Sequence, residues 1–192
     1  MASFKKIMAR FRLNMACKKF VSRDILIPSN LSNIKSILVC LPPDQRQLTM
    51  VKNLLPEVTR IFADAKIYLM ASPGSSIYDI FPRKGYYIMT PTGKHLSWCG
   101  LPRKEFIKSL EENKYDLILD TNFQINYFCQ MILLSFPDAV RVGRANHLGQ
   151  PYYNLEIKTR YIRDERNIYK SMIETLDRLI NFGRTETNEI TG

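Results

Sequence analysis

Glycine, cysteine and long apolar runs are all scarce in this sequence. Eight glycines in 192 residues exclude a collagen-like chain, and four cysteines are too few for a disulfide-stabilised scaffold. No apolar run approaches the roughly 18 residues that a membrane-spanning helix needs. Hydrophobic residues nevertheless make up 45% of the chain, which excludes a disordered protein. Because one domain usually takes roughly 100 to 200 residues, the length predicts a single globular domain with its own core.

Motifs for cofactors and metals are also missing. There is no Gly-x-Gly-x-x-Gly sequence, and Gly93-Lys94 lacks the earlier glycine of a phosphate-binding P-loop because Ile88 occupies that place. The four cysteines lie 23, 59 and 30 residues apart, so they form no closely spaced metal-binding pair. We therefore expect no cofactor and no metal. We interpret the cysteines as reduced, mostly buried thiols of a cytosol-like compartment.

Positive charge is concentrated near the amino terminus. Of the 28 lysines and arginines, seven lie in residues 1–23, where there is no acidic residue. This segment supplies +7 of the net charge of +10, and the rest of the chain is almost balanced, with 21 basic and 18 acidic residues. A nucleic-acid-binding domain usually carries a basic stripe on its folded surface. The charge distribution therefore disfavours nucleic acid as a partner.

Residues 1–23 have the periodicity of a basic amphipathic leader helix. Five apolar residues recur at steps of three and four and fall within an arc of about 100°. Such a helix can lie on an anionic membrane surface, where apolar burial and electrostatic attraction act together. The membrane-binding residues predicted on this basis are Phe4, Lys5, Lys6, Ile7, Met8, Arg10, Phe11, Arg12 and Met15.

Other interpretations of the leader remain open. The five apolar residues could instead pack on the body of the protein as an ordinary helix. A mitochondrial presequence is a weaker alternative, and Phe4 and Phe11 could stack on the bases of a nucleic acid. A secretory signal is disfavoured, because charged residues interrupt every candidate apolar core.

From Lys35 onward, strand-like and helix-like stretches alternate. Residues 36–41 form a continuous apolar run, typical of a parallel strand buried on both faces. The predicted strands are 36–41, 66–70, 86–89, 115–120, 139–142 and an edge strand at 152–158, and the predicted helices are 46–63, 102–113, 124–135 and 162–182. Pro56 is expected to kink the first of these helices or to set off its first part as a turn.

This order predicts an α/β fold. We expect a single Rossmann-like domain over residues 35–183, with a mainly parallel sheet, helices on both faces and the basic leader helix in front of it. Gly183 is a natural helix stop. The polar residues 184–192 are therefore predicted to form a flexible tail.

Four segments of this domain resemble a known family. They are residues 37–70, 98–102, 114–120 with its Tyr-Asp-Leu-Ile-Leu-Asp run, and 139–143 with its final Val-Gly. In this order they resemble the N-terminal domain of the bacterial heptosyltransferases, glycosyltransferase family nine, which have the GT-B fold. The resemblance covers about residues 35–160. It leaves no residues for the C-terminal domain that binds the nucleotide-sugar donor in that family.

The resemblance implies a catalytic base in the loop after the first strand. In the family a Gly-Asp pair follows that strand, and its acid is thought to deprotonate the acceptor hydroxyl. Here the loop reads Pro-Pro-Asp-Gln over residues 42–45, so Asp44 is the only candidate equivalent. The glycine that supports close backbone approach is missing.

The resemblance also implies a role in assembling a cell-envelope glycan or lipopolysaccharide, in the cytoplasm or peripherally at the inner face of the membrane. Because a donor-binding domain is missing, we expect an accessory protein that is non-catalytic alone and binds a sugar or glycolipid acceptor. The alternative is the acceptor-binding subunit of a split glycosyltransferase that uses Asp44 as base. A partner chain would then supply the nucleotide-sugar domain.

Loops after parallel strands gather at one edge of a sheet and form its usual ligand site. The ligand-binding residues predicted at this edge, beside Asp44, are Ser72, Gly74, Ser75, Ser76, His95, Asp120 and Asn122. Residues 72–76 could hold an anion on backbone N–H groups or form a plain turn. Asp120 could instead cap the helix that follows it. The two loop histidines, His95 and His147, could act as bases or could simply be solvated.

Overall fold

The computed structural model describes residues 2–27, 29–75, 77–81 and 84–190. In this part of the chain, six strands form one sheet in which every pairing is parallel. The strands are β1 (Ser36–Cys40), β2 (Lys66–Met70), β3 (Tyr87–Met89), β4 (Leu117–Asp120), β5 (Val140–Arg144) and β6 (Leu155–Ile157). Their order across the sheet is β3-β2-β1-β4-β5-β6. The predicted α/β fold with a mainly parallel sheet is confirmed.

Six α-helices accompany the strands in the described residues. They are α1 (Ala2–Lys19), α2 (Ser29–Ser32), α3 (Gln45–Ile61), α4 (Lys104–Glu111), α5 (Tyr127–Ser135) and α6 (Glu165–Ile190). A short 3-10 helix spans Gly93–His95. Helix α2 and the 3-10 helix are four and three residues long, too short to produce a helical periodicity in the sequence.

Both faces of the sheet are buried. Because side chains alternate along a strand, Ile37 and Val39 of β1 enter one core and Leu38 and Cys40 enter the other. The first core is closed by α3 and α6, and the second contains residues of α4 and α5. The continuous apolar run of β1 follows from this, since each of its faces packs against helices.

Helix α1 packs on α5, outside the two cores. Its buried residues Ala9 and Leu13 cluster with Leu134 of α5 and with Cys99 and Leu101. Four of the five apolar residues predicted to face a membrane or the body are exposed, and Met8 is half-buried. The helix therefore docks on the body through a different face from the one that the periodicity suggested.

The segment after α1 is joined to the sheet by Arg141 of β5. This guanidinium lies 4.7 Å from the centre of the Phe20 ring and donates to Ser22 Oγ at 2.9 Å. It also donates to the backbone carbonyls of Phe136, Pro137, Ala139 and Tyr152. Burial lowers the pKa of Arg141 to about 10, so the side chain stays charged at neutral pH.

Two helix predictions need correction. Helix α3 is continuous through Pro56, since both Pro56 and Lys52, whose carbonyl loses its N–H partner, are exposed to water. Helix α6 does not stop at Gly183 but continues to Ile190, so the tail predicted to be flexible is helical over most of its length. An interior glycine costs only about 1 kcal/mol relative to alanine, too little to end a helix whose preceding turns are packed.

Candidate functional site

The strand order reverses direction between β1 and β4. From β1 the chain proceeds to β2 and β3 on one side, whereas β4 begins the series that runs to β6 on the other. Ligands of open parallel sheets bind at such a switch point, outside the carboxyl ends of the strands. In this protein the crevice therefore lies beyond Cys40 and Asp120, the last residues of β1 and β4.

A chain of hydrogen bonds crosses this switch point. Asn122 Nδ2 donates to Asp120 Oδ1 at 2.7 Å, and Asn126 Nδ2 donates to Asn122 Oδ1 at 3.1 Å. The same Asn126 amide donates to Ser72 Oγ, whose hydroxyl donates to the carbonyl of Leu41. The loops after β1, β2 and β4 are thus held together by buried or half-buried side chains.

Tyr153, in the loop before β6, completes the network. Its hydroxyl donates to Asp120 Oδ2 at 2.7 Å, and its ring fills the space where a side chain at Gly143 would lie. Together with the backbone N–H of Asn122, which donates to Oδ1 at 3.0 Å, these contacts satisfy both oxygens of Asp120. Helix α5 is capped by Asn126, which accepts from the N–H of Cys129, so Asp120 is not the helix cap.

Burial sets the electrostatics of this network. It raises the pKa of Asp120, against the hydrogen bonds from Asn122 and Tyr153 and the charge of His147. It also lowers the pKa of His147, with Asp120 acting to raise it and Arg144 to lower it. Among the described residues, no hydrogen-bond partner reaches the buried Nε2 of His147. The charge of each of these two side chains therefore affects the pKa of the other.

Asp44 serves as the N-cap of α3. Its Oδ1 accepts from the N–H of Gln47 at 2.9 Å, and no other hydrogen bond to this carboxylate occurs in the described part of the chain. The side chain is exposed. The hydroxyl of Tyr169 donates to the carbonyl of Thr121, and burial raises the pKa of Tyr169, with a smaller contribution from the charge of Asp44. Asp44 therefore lies near the switch point, with one oxygen engaged by the helix.

The segment predicted to hold an anion has the hydrogen bonding of a turn. The N–H of Ser75 donates to the carbonyl of Ser72 at 3.0 Å, and Gly74 has a φ of +82°, as a turn glycine commonly does. That N–H is therefore not available to an anion. Ser72 is buried and belongs to the network, whereas Ser76 lies outside the described residues.

His95 is engaged in local contacts. Its Nδ1 accepts from the N–H of Thr92 at 3.0 Å, and its ring stacks on Phe106 with centres 4.8 Å apart. None of the hydrogen bonds of the switch-point network involves it. Of the predicted ligand-binding residues, the network therefore joins Ser72, Asp120 and Asn122, and His95 lies apart from them.

A basic pocket that was not predicted lies at the same edge of the sheet. Arg144 at the end of β5 and Lys158 and Arg160 after β6 line a cavity of about 350 Å³, with Tyr161 and Ile162 at its side. None of the three cations forms an ion pair within the described residues. A sequence signal was present, since residues 158–166 contain four basic residues, but the near-neutral average of the body concealed it.

A larger open groove of about 650 Å³ lies at the opposite edge. It is lined by Tyr115, Asp116, Ala139 and Val140, at the amino ends of β4 and β5. The carboxylate of Asp116 accepts from two backbone N–H groups there, so it has a structural role. We therefore assign the functional site to the carboxyl edge, where the basic pocket and the switch point lie.

Other kinds of site find no support in the described residues. There, no three or more of the side chains of His, Cys, Asp and Glu converge as metal ligands would. Within the same residues, no helix has the length and apolar character to cross a bilayer. The four cysteines are free, three of them buried and Cys17 half-buried, which confirms their interpretation as mostly buried thiols.

Comparisons with known proteins agree with the fold. The sequence matches "Family of unknown function (DUF6913)" over residues 5–179, and no curated protein matches significantly. Among solved structures, the E. coli heptosyltransferase WaaC with ADP has a TM-score of 0.56 at 12% identity, over 76% of this chain and 46% of that one. The glycosyl transferase family 9 protein from Veillonella parvula DSM 2008 has a TM-score of 0.57 at 15% identity, over 81% and 43%.

At these identities the likeness is one of fold. The chain spans less than half the length of either structure. The resemblance to the heptosyltransferases is therefore confirmed as a glycosyltransferase-like fold.

Proposed function

The chain belongs to the DUF6913 family, and we propose that it is a glycosyltransferase-like accessory protein that binds an anionic sugar or glycolipid acceptor. Its role would lie in the assembly of a cell-envelope glycan or lipopolysaccharide. The likeness of its fold to family 9 glycosyltransferases supports the sugar chemistry. Fold likeness alone does not determine function, so the ligand class is inferred from the side chains of the site.

The basic pocket is the observation that carries this proposal. Arg144, Lys158 and Arg160 bring three positive charges together at the carboxyl edge, without ion pairs among the described residues. Arginine and lysine bind phosphate and carboxylate groups by charge-assisted hydrogen bonds. The exposed ring of Tyr161 offers an apolar surface for a sugar ring beside them. The ligand class is therefore a sugar that carries phosphate or carboxylate.

An accessory role follows from what surrounds the pocket. Both oxygens of Asp120 are already hydrogen-bonded, and Asp44 caps a helix. A single domain forms one wall of a cleft and leaves the reacting atoms open to water, which weakens every electrostatic contribution to catalysis. We therefore expect ligand binding without sugar transfer by the chain alone.

The second candidate is an acceptor-binding subunit of a split glycosyltransferase. One observation favours it: Asp44 keeps one carboxylate oxygen free of hydrogen bonds within the described residues. In this case Asp44 would take the proton of the acceptor hydroxyl while the hydroxyl oxygen attacks the anomeric carbon of the donor sugar. The leaving diphosphate would be stabilised by a partner chain that supplies the nucleotide-sugar domain.

Binding can be tested by calorimetry with mannose 6-phosphate and with mannose as the uncharged probe. We expect the phosphate ester to bind and mannose to bind far more weakly. The double variant Lys158→Gln/Arg160→Gln should bind roughly tenfold more weakly or worse, because two charge-assisted contacts are lost. The matched control is Lys104→Gln/Lys108→Gln, two exposed lysines of α4. Equal losses in the two double variants, or equal binding of the two sugars, would contradict the proposal.

Catalysis is tested separately with nucleotide-diphosphate sugars. The accessory proposal expects no turnover by the purified chain. Turnover that disappears in Asp44→Asn would establish the transferase alternative instead. Asparagine caps helices about as well as aspartate, so this variant removes the base while α3 keeps its N-cap.

A further inference from the structure

Helix α1 has two apolar faces on opposite sides. At 3.6 residues per turn, Phe4, Ile7, Phe11 and Met15 fall within an arc of about 80°, and Ala9 and Leu13 lie about 160° away from its centre. The face with Ala9 and Leu13 is buried against α5. The other four residues, which we call the outer face, are 60%, 60%, 56% and 45% exposed in chain order. Docking on the body therefore does not explain why the residues of the outer face are apolar.

Trp98 extends this apolar surface beyond the helix. Its ring stacks on Phe4 with centres 6.0 Å apart and planes inclined by 25°, and the side chain is 51% exposed. Phe4, Ile7 and Phe11 follow one another along one side of a regular helix. Contiguous exposed apolar patches of this kind usually mark an interaction site.

Cations border the outer face on both sides. On the helical wheel, three of them fall on one flank and one falls on the other, and all four are exposed. They are Lys5, Arg12 and Lys19, and Arg10 respectively. The exposed Lys18 lies in line with the outer face, beyond Met15. No acidic residue occurs in the helix or before Asp24. The outer face is therefore an apolar strip with positive charge on both flanks and at its C-terminal end.

We propose that the outer face of α1 binds the surface of an anionic lipid bilayer. The helix would lie parallel to the membrane plane, with Ile7 and Phe11 among the acyl chains and the cations at the lipid phosphates. The inner face would meanwhile keep α5 and the sheet attached. Because α1 is already folded and docked, little conformational entropy is lost on binding, which favours affinity.

The distribution of charged and apolar residues disfavours a second copy of the chain or a nucleic acid on this face. A second copy of the chain would bring the cations of two helices together with no acidic residue from either helix to pair with them. A nucleic acid would use the cations but would leave Ile7 and Met15 in water. An anionic bilayer matches the strip and its borders together. The proposal is independent of the basic pocket at the carboxyl edge, so either can fail without the other.

Trp98 provides the readout, because it is the only tryptophan in the chain. We expect its emission to shift to shorter wavelength when the full-length protein is mixed with vesicles containing phosphatidylglycerol. Vesicles of pure phosphatidylcholine should give little shift, and salt should weaken the binding, since the Debye length falls from about 10 Å at 0.1 M to about 3 Å at 1 M. Cosedimentation with the vesicles gives an independent measure of bound protein.

The test variants are Ile7→Glu and Phe11→Glu, with Ile125→Glu as the matched control. Ile7 and Ile125 are 60% and 65% exposed, so the two isoleucine variants make the same chemical change at similar exposure. Either outer-face variant should weaken vesicle binding by roughly tenfold or more, and the control should bind like the parent. The unfolding temperature of all three should stay near that of the parent.

Four results would overturn the proposal. They are no binding to anionic vesicles, binding that Ile7→Glu leaves intact, a dimer that this variant dissociates without any vesicle binding, and salt-dependent binding to an RNA oligonucleotide without vesicle binding. The last two would assign the outer face to a second copy of the chain and to a nucleic acid.

Discussion

The hydroxyl of Tyr153 donates to the carboxylate of Asp120 across 33 residues of sequence. To reach it, the tyrosine ring crosses β5 at Gly143, where a β-carbon would overlap the ring. The glycine is therefore needed for close packing. Gly143 lies within β5 and does not have the positive φ of Gly74, Gly85, Gly100 and Gly149. This contact joins the loop before β6 to the end of β4 and fixes one side of the switch-point crevice.

Gly143→Ala should destabilise the protein by roughly 1 to 3 kcal/mol, because the added methyl group overpacks the site against the Tyr153 ring. Urea unfolding measures the loss. Gly93→Ala is the control, since a β-carbon there meets no atom within 4 Å. Similar stability of the two variants would show that Tyr153 can move without cost.

Arg141→Met should lower the free energy of unfolding by about 3 kcal/mol or more. The substitution removes the donor for several buried carbonyls, and unsatisfied buried acceptors are costly. It should also loosen the leader, because Arg141 contacts both Phe20 and Ser22. Faster cleavage by trypsin after Lys18 and Lys19 would report this loosening. The control is Arg46→Met, at an exposed position. It should change neither the free energy of unfolding nor the rate of proteolysis.

Leu13→Ala should cost roughly 2 to 4 kcal/mol, as expected for a leucine buried at 1% exposure. Ile7→Ala, on the outer face of the same helix, should change stability by less than about 0.5 kcal/mol. Thermal unfolding of the two variants separates the two faces. Equal losses would mean that both faces pack on the body.

Acid should destabilise the protein through His147. The unfolded chain takes up a proton near pH 6.5, the ordinary histidine pKa, whereas burial lowers the pKa of the folded side chain. Below pH 6.5 the unfolded state therefore binds more protons, and stability falls as the pH falls. Asp120 acts in the opposite direction above pH 3.8, because burial raises its pKa from that value in the folded state.

The measurement is the urea midpoint of the parent and of His147→Gln between about pH 8 and pH 5.5. The parent should lose stability more steeply than the variant over this interval. Parallel profiles would exclude His147 as the source of the acid sensitivity.

The strands of the fold were predictable because each carries a local signal. Residues 37–41 are apolar at every position, since both faces of β1 are covered, and the run ends at two prolines. The ends of helices were less predictable. Pro56 and Gly183 are strong local breakers, yet packing of the neighbouring turns and solvation of the exposed carbonyls outweighed them.

The site was predictable only in part, because most of it depends on contacts between distant segments. Asp120 and Asn122 were identified from their position after a strand. Asn126 was not, although it connects two loops by donating to Ser72, 54 residues away. The basic pocket combines Arg144 with Lys158, which become neighbours only when β5 and β6 pair. The inner face of α1 was missed because Ala9 and Leu13 stand among cations in the sequence.

The two edges of the sheet limit how another chain could join it. The edge strands β3 and β6 are three residues long, so each offers very few unpaired backbone groups for strand addition. Sheet extension is therefore an unfavourable route of assembly for this domain. A partner that completes a two-domain cleft would have to bind through the loops at the carboxyl edge, where its own side chains could close over the basic pocket.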